Sequence, residues 1–119
     1  MKFMFYGCEN LINLDLSKFN TQNVNCMYQM FYNCKNLIYL NLSNFDTQKV
    51  VNMSGIFYKC ENLKILDIFN FDTKNVIDMS FMFYHCKNLT YLGLSNFNTQ
   101  NVTNMKNMFC GCENLISFI

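Results

Sequence analysis

The 119-residue chain contains no proline, tryptophan, alanine or arginine. All nine basic residues are therefore lysine, and asparagine occurs twenty times. The missing residues are mostly encoded by GC-rich codons, so the bias reads as nucleotide composition and not as a functional constraint. Net charge is +1 with both signs mixed along the chain, which leaves no basic patch for nucleic acid or anionic lipid. No single-sign run marks an acidic or basic tail. No apolar stretch approaches the roughly 18–20 residues that span a bilayer, so no transmembrane segment is expected. The N-terminus, MKFMFYGCEN, lacks the apolar core and small-residue cleavage site of a secretory signal.

The usual marks of catalysis are missing too. There is no Gly-rich phosphate loop and only one histidine, His85. No Ser, His and acid group stands outside the repeating pattern of the chain, whereas catalysis needs a convergent, irregular constellation. Cys110-Gly111-Cys112 has the look of a metal or redox pair. No second pair lies in register with it, and a zinc site takes four converging ligands. Neither an enzymatic activity nor a cofactor or metal is expected.

What is present is a repeat. The unit MFYNCKNLIYLNLSNFDTQKVVNMSG starts at Met30, and copies start at Ile56 and Met82. An earlier copy starts at Met4, and Met108 opens a partial one. The units are 4–29, 30–55, 56–81, 82–107 and the partial 108–119. Periods of roughly 20–50 residues signal a solenoid, whose units bury their apolar faces against each other. Length and unbroken period predict one domain over 1–119. Met1 already shares a column with Met27, Met53, Met79 and Met105, and neither end carries a polar capping unit. That register predicts a piece of a longer array, with end-to-end self-association of bare units as the alternative.

Within a unit, L-x-x-L-x-L alternates apolar and variable residues, as in a strand with one buried face. Leu11, Leu14 and Leu16 recur as Leu37, Leu40 and Leu42, as Leu63, Leu66 and Ile68, and as Leu89, Leu92 and Leu94. A fifth strand is expected to begin at Leu115 and run to Ile119. Identical strands one unit apart stack as a parallel sheet, which requires a crossover. Phe19, Phe45, Phe71 and Phe97 follow the strands and are expected to form a stacked aromatic column. Asn20-Thr21, Asp46-Thr47, Asp72-Thr73 and Asn98-Thr99 then suit a helix N-cap. Val24, Met27, Met30 and Phe31 follow at i, i+3, i+6 and i+7, one stripe of a helix. The spacing predicts a short helix or 3₁₀ segment over about residues 22–32 and its equivalents. A left-handed end is expected at Gly7, Asn33, Lys59, His85 and Gly111. The predicted fold class is an α/β repeat solenoid, with a parallel sheet on one face and helical or 3₁₀ crossovers on the other.

Strand, crossover and F-x-x-C-x-x-L resemble a leucine-rich repeat. More narrowly, MFYNCKNLIYLNLSNFDTQKVVNM resembles the 26-residue repeat of bacterial surface proteins, the BspA-like leucine-rich repeats, over essentially the whole chain. The common leucine-rich-repeat pattern places Asn where Phe19, Phe45, Phe71 and Phe97 stand here. The column Asn10, Asn36, Asn62, Asn88 and Asn114 is expected to supply the stacked, buried amides instead. The resemblance implies a surface or secreted protein acting in adhesion or protein binding.

Repeated chemistry reads mostly as packing. Cys8, Cys34, Cys60, Cys86 and Cys112 stand one unit apart, and a ladder of small apolar side chains predicts a reduced core. Glu9, Glu61 and Glu113 share a column with Lys35 and Lys87, which reads as a solvated face. The Met and Phe stripe reads as core. Sequons at Asn41, Asn52, Asn88 and Asn101 carry little weight in so asparagine-rich a chain.

What varies is the outward strand face, which reads Asn13, Asp15, Ser17, then Tyr39, Asn41, Ser43, then Ile65, Asp67, Phe69, then Tyr91, Gly93, Ser95. Tyr39, Ile65, Phe69 and Tyr91 form an expected aromatic and apolar patch flanked by Asp15 and Asp67, suited to a protein ligand. The favoured function is a non-enzymatic protein-binding or adhesion module, host or cell-surface proteins being candidate ligands. The expected location is the cell surface or the secreted state, within a larger protein. A structural spacer, a self-associating array and a cytoplasmic scaffold or effector are the alternatives.

Overall fold

An Asx residue stands ahead of each expected helix, as Asn20, Asp46, Asp72 and Asn98. The computed structural model of the chain describes residues 1–118, and in it these Asx oxygens close local turns. Asn20, Asp46, Asp72 and Asn98 each accept, through Oδ1, the N–H two residues on, at 3.2, 3.0, 3.0 and 2.9 Å. The next residue is buried in three of the four units, as Thr21, Thr47 and Thr73. Each of these hydroxyls accepts a backbone N–H of the following unit and donates to a carbonyl of that unit. For Thr47 the partner is Asp72, with the N–H at 2.8 Å and the carbonyl at 3.0 Å.

The predicted α/β solenoid with helical crossovers does not form. Among the described residues there is neither an α-helix nor a 3₁₀ helix. The reason is where the N–H groups go. Met27, Gln29, Phe31 and Asn33 donate to Asn52, Ser54, Ile56 and Tyr58 of the next unit, at 3.0, 3.0, 2.9 and 2.6 Å. An α-helix needs every such donor for its own carbonyls, and each backbone N–H serves once. The intervening Met30, Tyr32 and Cys34 close isolated turns back to Met27, Gln29 and Phe31. Two residues per unit, four apart, are also left-handed. Gln29 and Asn33 have φ of 50° and 60°, and the equivalents Gly55, Lys59, Phe81 and His85 have 61°, 56°, 57° and 56°. A helix requires φ near about −63°, so no two successive turns join into one. The left-handed conformation expected at residues 7, 33, 59, 85 and 111 is present, but it ends a turn.

Strand formation is equally brief. β1 is Tyr39–Asn41, β2 Ile65–Asp67, β3 Tyr91–Leu92 and β4 Ser117–Phe118. β1 pairs with β2 and β3 with β4, both parallel, so one continuous sheet is replaced by two separate pairs. The segment 11–16 forms no strand. β4 falls within the expected fifth strand, whose last residue, Ile119, lies outside the described residues. Registers such as Tyr39 with Ile65 and Leu40 with Leu66 keep the 26-residue offset. So do the isolated parallel bridges from Cys26 to Asn52, Asn52 to Asp78 and Asp78 to Asn104.

The core is the expected set of columns. Leu37, Leu40, Leu42, Leu63, Leu89, Val50, Val76, Met27, Met53 and Met79 are fully buried. The stacked rings, however, are not the Phe45 column. Phe5, Phe31, Phe57, Phe83 and Phe109 stack at 5.4, 5.8, 5.6 and 5.5 Å, nearly parallel. Phe45 and Phe71 are buried without entering that stack. The body measures 30 × 30 × 22 Å, with no long axis.

Candidate binding surface

The thiols of the cysteine ladder have a structural use. Cys34, Cys60, Cys86 and Cys112 donate to the carbonyls of Phe5, Phe31, Phe57 and Phe83 at 3.0–3.2 Å. Burial pushes the Cys34 thiol up to about 12 and that of Cys112 to about 11, and holds those of Cys60 and Cys86 well above the ordinary range. All seven cysteines are free, and only Cys110 is exposed. Among the described residues no three or more His, Cys, Asp or Glu side chains gather as metal ligands. His85 is half-buried, its ring 4.3 Å from that of Tyr84 and wedged against Gly111, where a Cβ would come within 2.8 Å of the imidazole.

The charged column makes surface ion pairs, Lys87 to Glu61 at 3.0 Å and Lys35 to Glu9 at 3.7 Å. Such pairs contribute about 0–1 kcal/mol each. The asparagine column is a ladder, but not a buried one. The Asn62 amide donates to Asn36 Oδ1 at 3.1 Å and Asn88 to Asn62 Oδ1 at 3.2 Å, with Asn36 and Asn62 exposed and Asn88 half-buried. At its two ends the same column tethers backbone, Asn36 Nδ2 to the Glu9 carbonyl at 2.9 Å and Asn114 Nδ2 to that of Lys87 at 2.8 Å, and a second column does so as well. Asn70 Nδ2 donates to the Ser43 carbonyl at 2.7 Å and Asn96 Nδ2 to that of Phe69 at 2.8 Å.

The four apolar residues expected on the outward strand face are all exposed. Tyr39, Ile65, Phe69 and Tyr91 are 42, 59, 57 and 57% exposed. Tyr39 and Ile65 are direct register partners across β1 and β2. Ile65 and Tyr91 line one groove with Lys64 and Thr90, about 330 Å³ in volume. Phe69 stands two residues past β2, at the far end of the face. Of the two acids, Asp15 is exposed and Asp67 half-buried. The Ser17 backbone N–H, 2.9 Å from Asp15 Oδ1, holds that carboxyl below its usual range, helped by the Ser17 side chain. Asp67 Oδ1 accepts the Phe69 N–H at 3.3 Å and so shapes the turn that presents Phe69. Tyr39 and Asp15 meet across a separate cavity of about 470 Å³ between the first two units.

Two features went unread in the sequence. Ile12, Ile38 and Ile116 are exposed beside the patch, at 53, 43 and 75%. Their column, which also holds Lys64 and Thr90, varies from unit to unit, and that variation was the available signal. On the turn side, Tyr6, Tyr32, Tyr58 and Tyr84 stack at 4.5, 4.4 and 4.7 Å. Burial, then the neighbouring Tyr58 and Tyr6, raises the Tyr32 phenol. The 26-residue recurrence of tyrosine was the signal there.

A family model described as "Mycoplasma protein of unknown function, DUF285" matches residues 1–118. The chain belongs to this family. The DUF285 match takes in every unit and both faces, so patch and cavity lie inside the family's own domain. No curated protein matches the chain, and no solved structure does. No helix among the described residues of this DUF285 chain is long and apolar enough to cross a membrane.

Proposed function

We propose that the chain is a non-enzymatic binding module that engages a protein partner through its strand face, as an adhesive segment of a larger surface or secreted protein. The observation that carries this reading is the patch itself. Tyr39, Ile65, Phe69 and Tyr91 are each 42–59% exposed, whereas the equivalent positions of the first unit are the polar Asn13 and Ser17. Contiguous exposed apolar surface with a polar rim is the make-up of partner-binding sites, and aromatic anchors supply most of their energy. The likeness of MFYNCKNLIYLNLSNFDTQKVVNM to BspA-like surface repeats supports the adhesive and extracellular setting. Beads coated with the chain adhere to cultured epithelial cells under this reading. Adhesion falls when Tyr39, Phe69 and Tyr91 are all replaced by Ser, and when the cells are first shaved with trypsin. Undiminished adhesion of the triple variant refutes it.

A further inference from the structure

The cavity between the first two units differs in chemistry from the apolar groove. Tyr39 forms one wall, Leu14 and Leu16 add apolar surface, and Asn13, Asp15, Ser17, Asn41, Ser43 and Asn44 are its polar lining. Its volume, about 470 Å³, falls in the roughly 300–1,000 Å³ range of small-molecule sites.

Internal bonds fix three of these side chains. Asp15 Oδ1 accepts the Ser17 N–H at 2.9 Å. Asn41 Oδ1 accepts the Ser43 N–H at 2.8 Å and its hydroxyl at 2.6 Å. Asn44 Nδ2 donates to the carbonyls of Leu16 and Ser17 at 3.1 and 3.3 Å. Each bond occupies one end of its side chain and leaves the other end for a ligand. Asp15, which also takes the Ser17 side chain, keeps further lone pairs as an acceptor, and Asn44 keeps its Oδ1. Asn41 keeps its Nδ2 hydrogens as donors, and the exposed Asn13 amide offers both. Ligand-facing groups held by their own neighbours lose little freedom on binding.

The set selects against most ligand classes. An anion meets the Asp15 carboxylate, with no lysine in the lining. A metal ion finds one carboxylate where several hard oxygen ligands are needed. A purely apolar ligand strands the amides unpaired. A neutral ligand whose adjacent hydroxyls both donate and accept, and whose C–H face lies against an aromatic ring, satisfies every group.

We propose that this cavity is a subsite for a neutral pyranose, a sugar ring carried by the partner. The proposal rests on the reading of the strand face as the binding face and names the ligand class of its first two units. Asp15 and the Asn41 and Asn13 amides hold vicinal hydroxyls, and Tyr39 covers the ring's C–H face.

The test is titration of the ¹⁵N-labelled chain with methyl glycosides of glucose, galactose, mannose and N-acetylglucosamine, with glycerol as control. At least one glycoside shifts the amides of residues 13–17 and 39–44, and glycerol does not. Tyr39→Ala weakens that binding roughly tenfold, a loss of about 1.4 kcal/mol. Asp15→Asn weakens it as well, because a charge-assisted bond is about twice as strong as a neutral one, while the oxygen that accepts Ser17 is kept. Tyr91→Ala leaves it unchanged. Both Tyr39 and Asp15 are exposed, so neither substitution threatens the fold. No glycoside-specific shift, or equal affinity in Tyr39→Ala, overturns the subsite. If glycosides fail while Phe69→Ser with Tyr91→Ser still abolishes cell adhesion, the subsite falls and the protein-binding reading stands. If glycosides bind while that double variant adheres normally, the apolar patch falls alone.

Discussion

Replacing Thr47 with Val isolates what joins one unit to the next. Thr47 is 1% exposed, and its hydroxyl both donates to the Asp72 carbonyl at 3.0 Å and accepts the Asp72 N–H at 2.8 Å. Valine has the same shape, so packing is retained and only the two bonds are lost. A net hydrogen bond contributes about 0.5–1.5 kcal/mol, and an orphaned buried partner costs about 1–3 kcal/mol. Asp72 is half-buried, so water recovers part of the loss and the extra methyl offsets up to about 0.8 kcal/mol. The expected destabilisation is about 2 kcal/mol, or a fall in Tm of roughly 8 °C for a chain of this size. Thr99→Val is the control. Thr99 fills the same column but is exposed, and its hydroxyl has no hydrogen bond among the described residues. Its loss should stay within about 0.5 kcal/mol. Urea midpoints at constant m-value, with thermal scans by circular dichroism, measure both. Equal losses for the two variants, or none at Thr47, refute the idea that the threonine hydroxyls join the units.

The cysteine ladder and the left-handed turns each yield a further expected outcome. Thiol labelling of the native chain should modify Cys110 first and reach Cys34, Cys60 and Cys86 only at the unfolding rate. The buried thiols have folded pKa values above those of the unfolded chain, so their contribution is complete below about pH 8.5. It is then lost as pH rises toward about 11 for Cys112 and 12 for Cys34, because the unfolded chain releases those protons first. Urea midpoints should decline across that alkaline window, and more shallowly in Cys34→Ala; a flat wild-type profile argues against the assignment. At the left-handed turns, Lys59→Gly relieves about 1–2 kcal/mol of backbone cost against about 0.5–1 kcal/mol of added chain entropy, for a small net gain. Gly111→Ala, at φ 79° and with its Cβ 2.8 Å from the His85 ring, destabilises; opposite signs in thermal scans contradict both.

The 26-residue period, the core columns and the outward strand positions were legible because each depends on side chains alone. The helix was misread for a definite reason. Val24, Met27, Met30 and Phe31 fit one helical stripe, but the same spacing serves a run of separate turns that bury the same residues. What decides is whether the Met27, Gln29, Phe31 and Asn33 N–H groups bond within the unit or to the next one, and that is a non-local fact. The Asx residues gave a second ambiguous sign, since a side-chain oxygen that caps a helix also closes an Asx turn that replaces it. Of the two left-handed columns, the one containing Gly7, Asn33 and Gly111 was readable by type. The other holds Phe3, Gln29, Gly55, Phe81 and Asn107; its Gly and Asn copies carried the same signal, but Phe and Gln in the remaining units masked it. For the candidate surface, the exposure of Tyr39, Ile65, Phe69 and Tyr91 was predictable from alternation. The cavity between Tyr39 and Asp15 was not, because it depends on the shape left between two neighbouring units.

This division of bonding also explains why the strand face is where chemistry varies. On the turn side, each constant residue is tied to the next unit, as Phe31 is through its N–H to Ile56 and through its ring to Phe57. A substitution there disturbs two junctions at once, and the tyrosine stack and the cysteine ladder are bound in the same way. On the strand face, the outward polar groups close bonds only two residues away, Asp15 to Ser17, Asn41 to Ser43 and Asp67 to Phe69. Changing one of them costs a local turn and nothing beyond it, and Gly93 already stands in that column without a side chain. The face can therefore be polar over its first unit and apolar over its later ones while the core stays the same. A ligand contacting both halves meets amides and a carboxylate at one end and Ile65, Phe69 and Tyr91 at the other. Under the proposed protein-binding reading such a gradient sets the direction in which a partner docks. Asn13→Tyr combined with Tyr91→Asn is therefore expected to lower adhesion to cells, although the composition of the face is unchanged; undiminished adhesion refutes it.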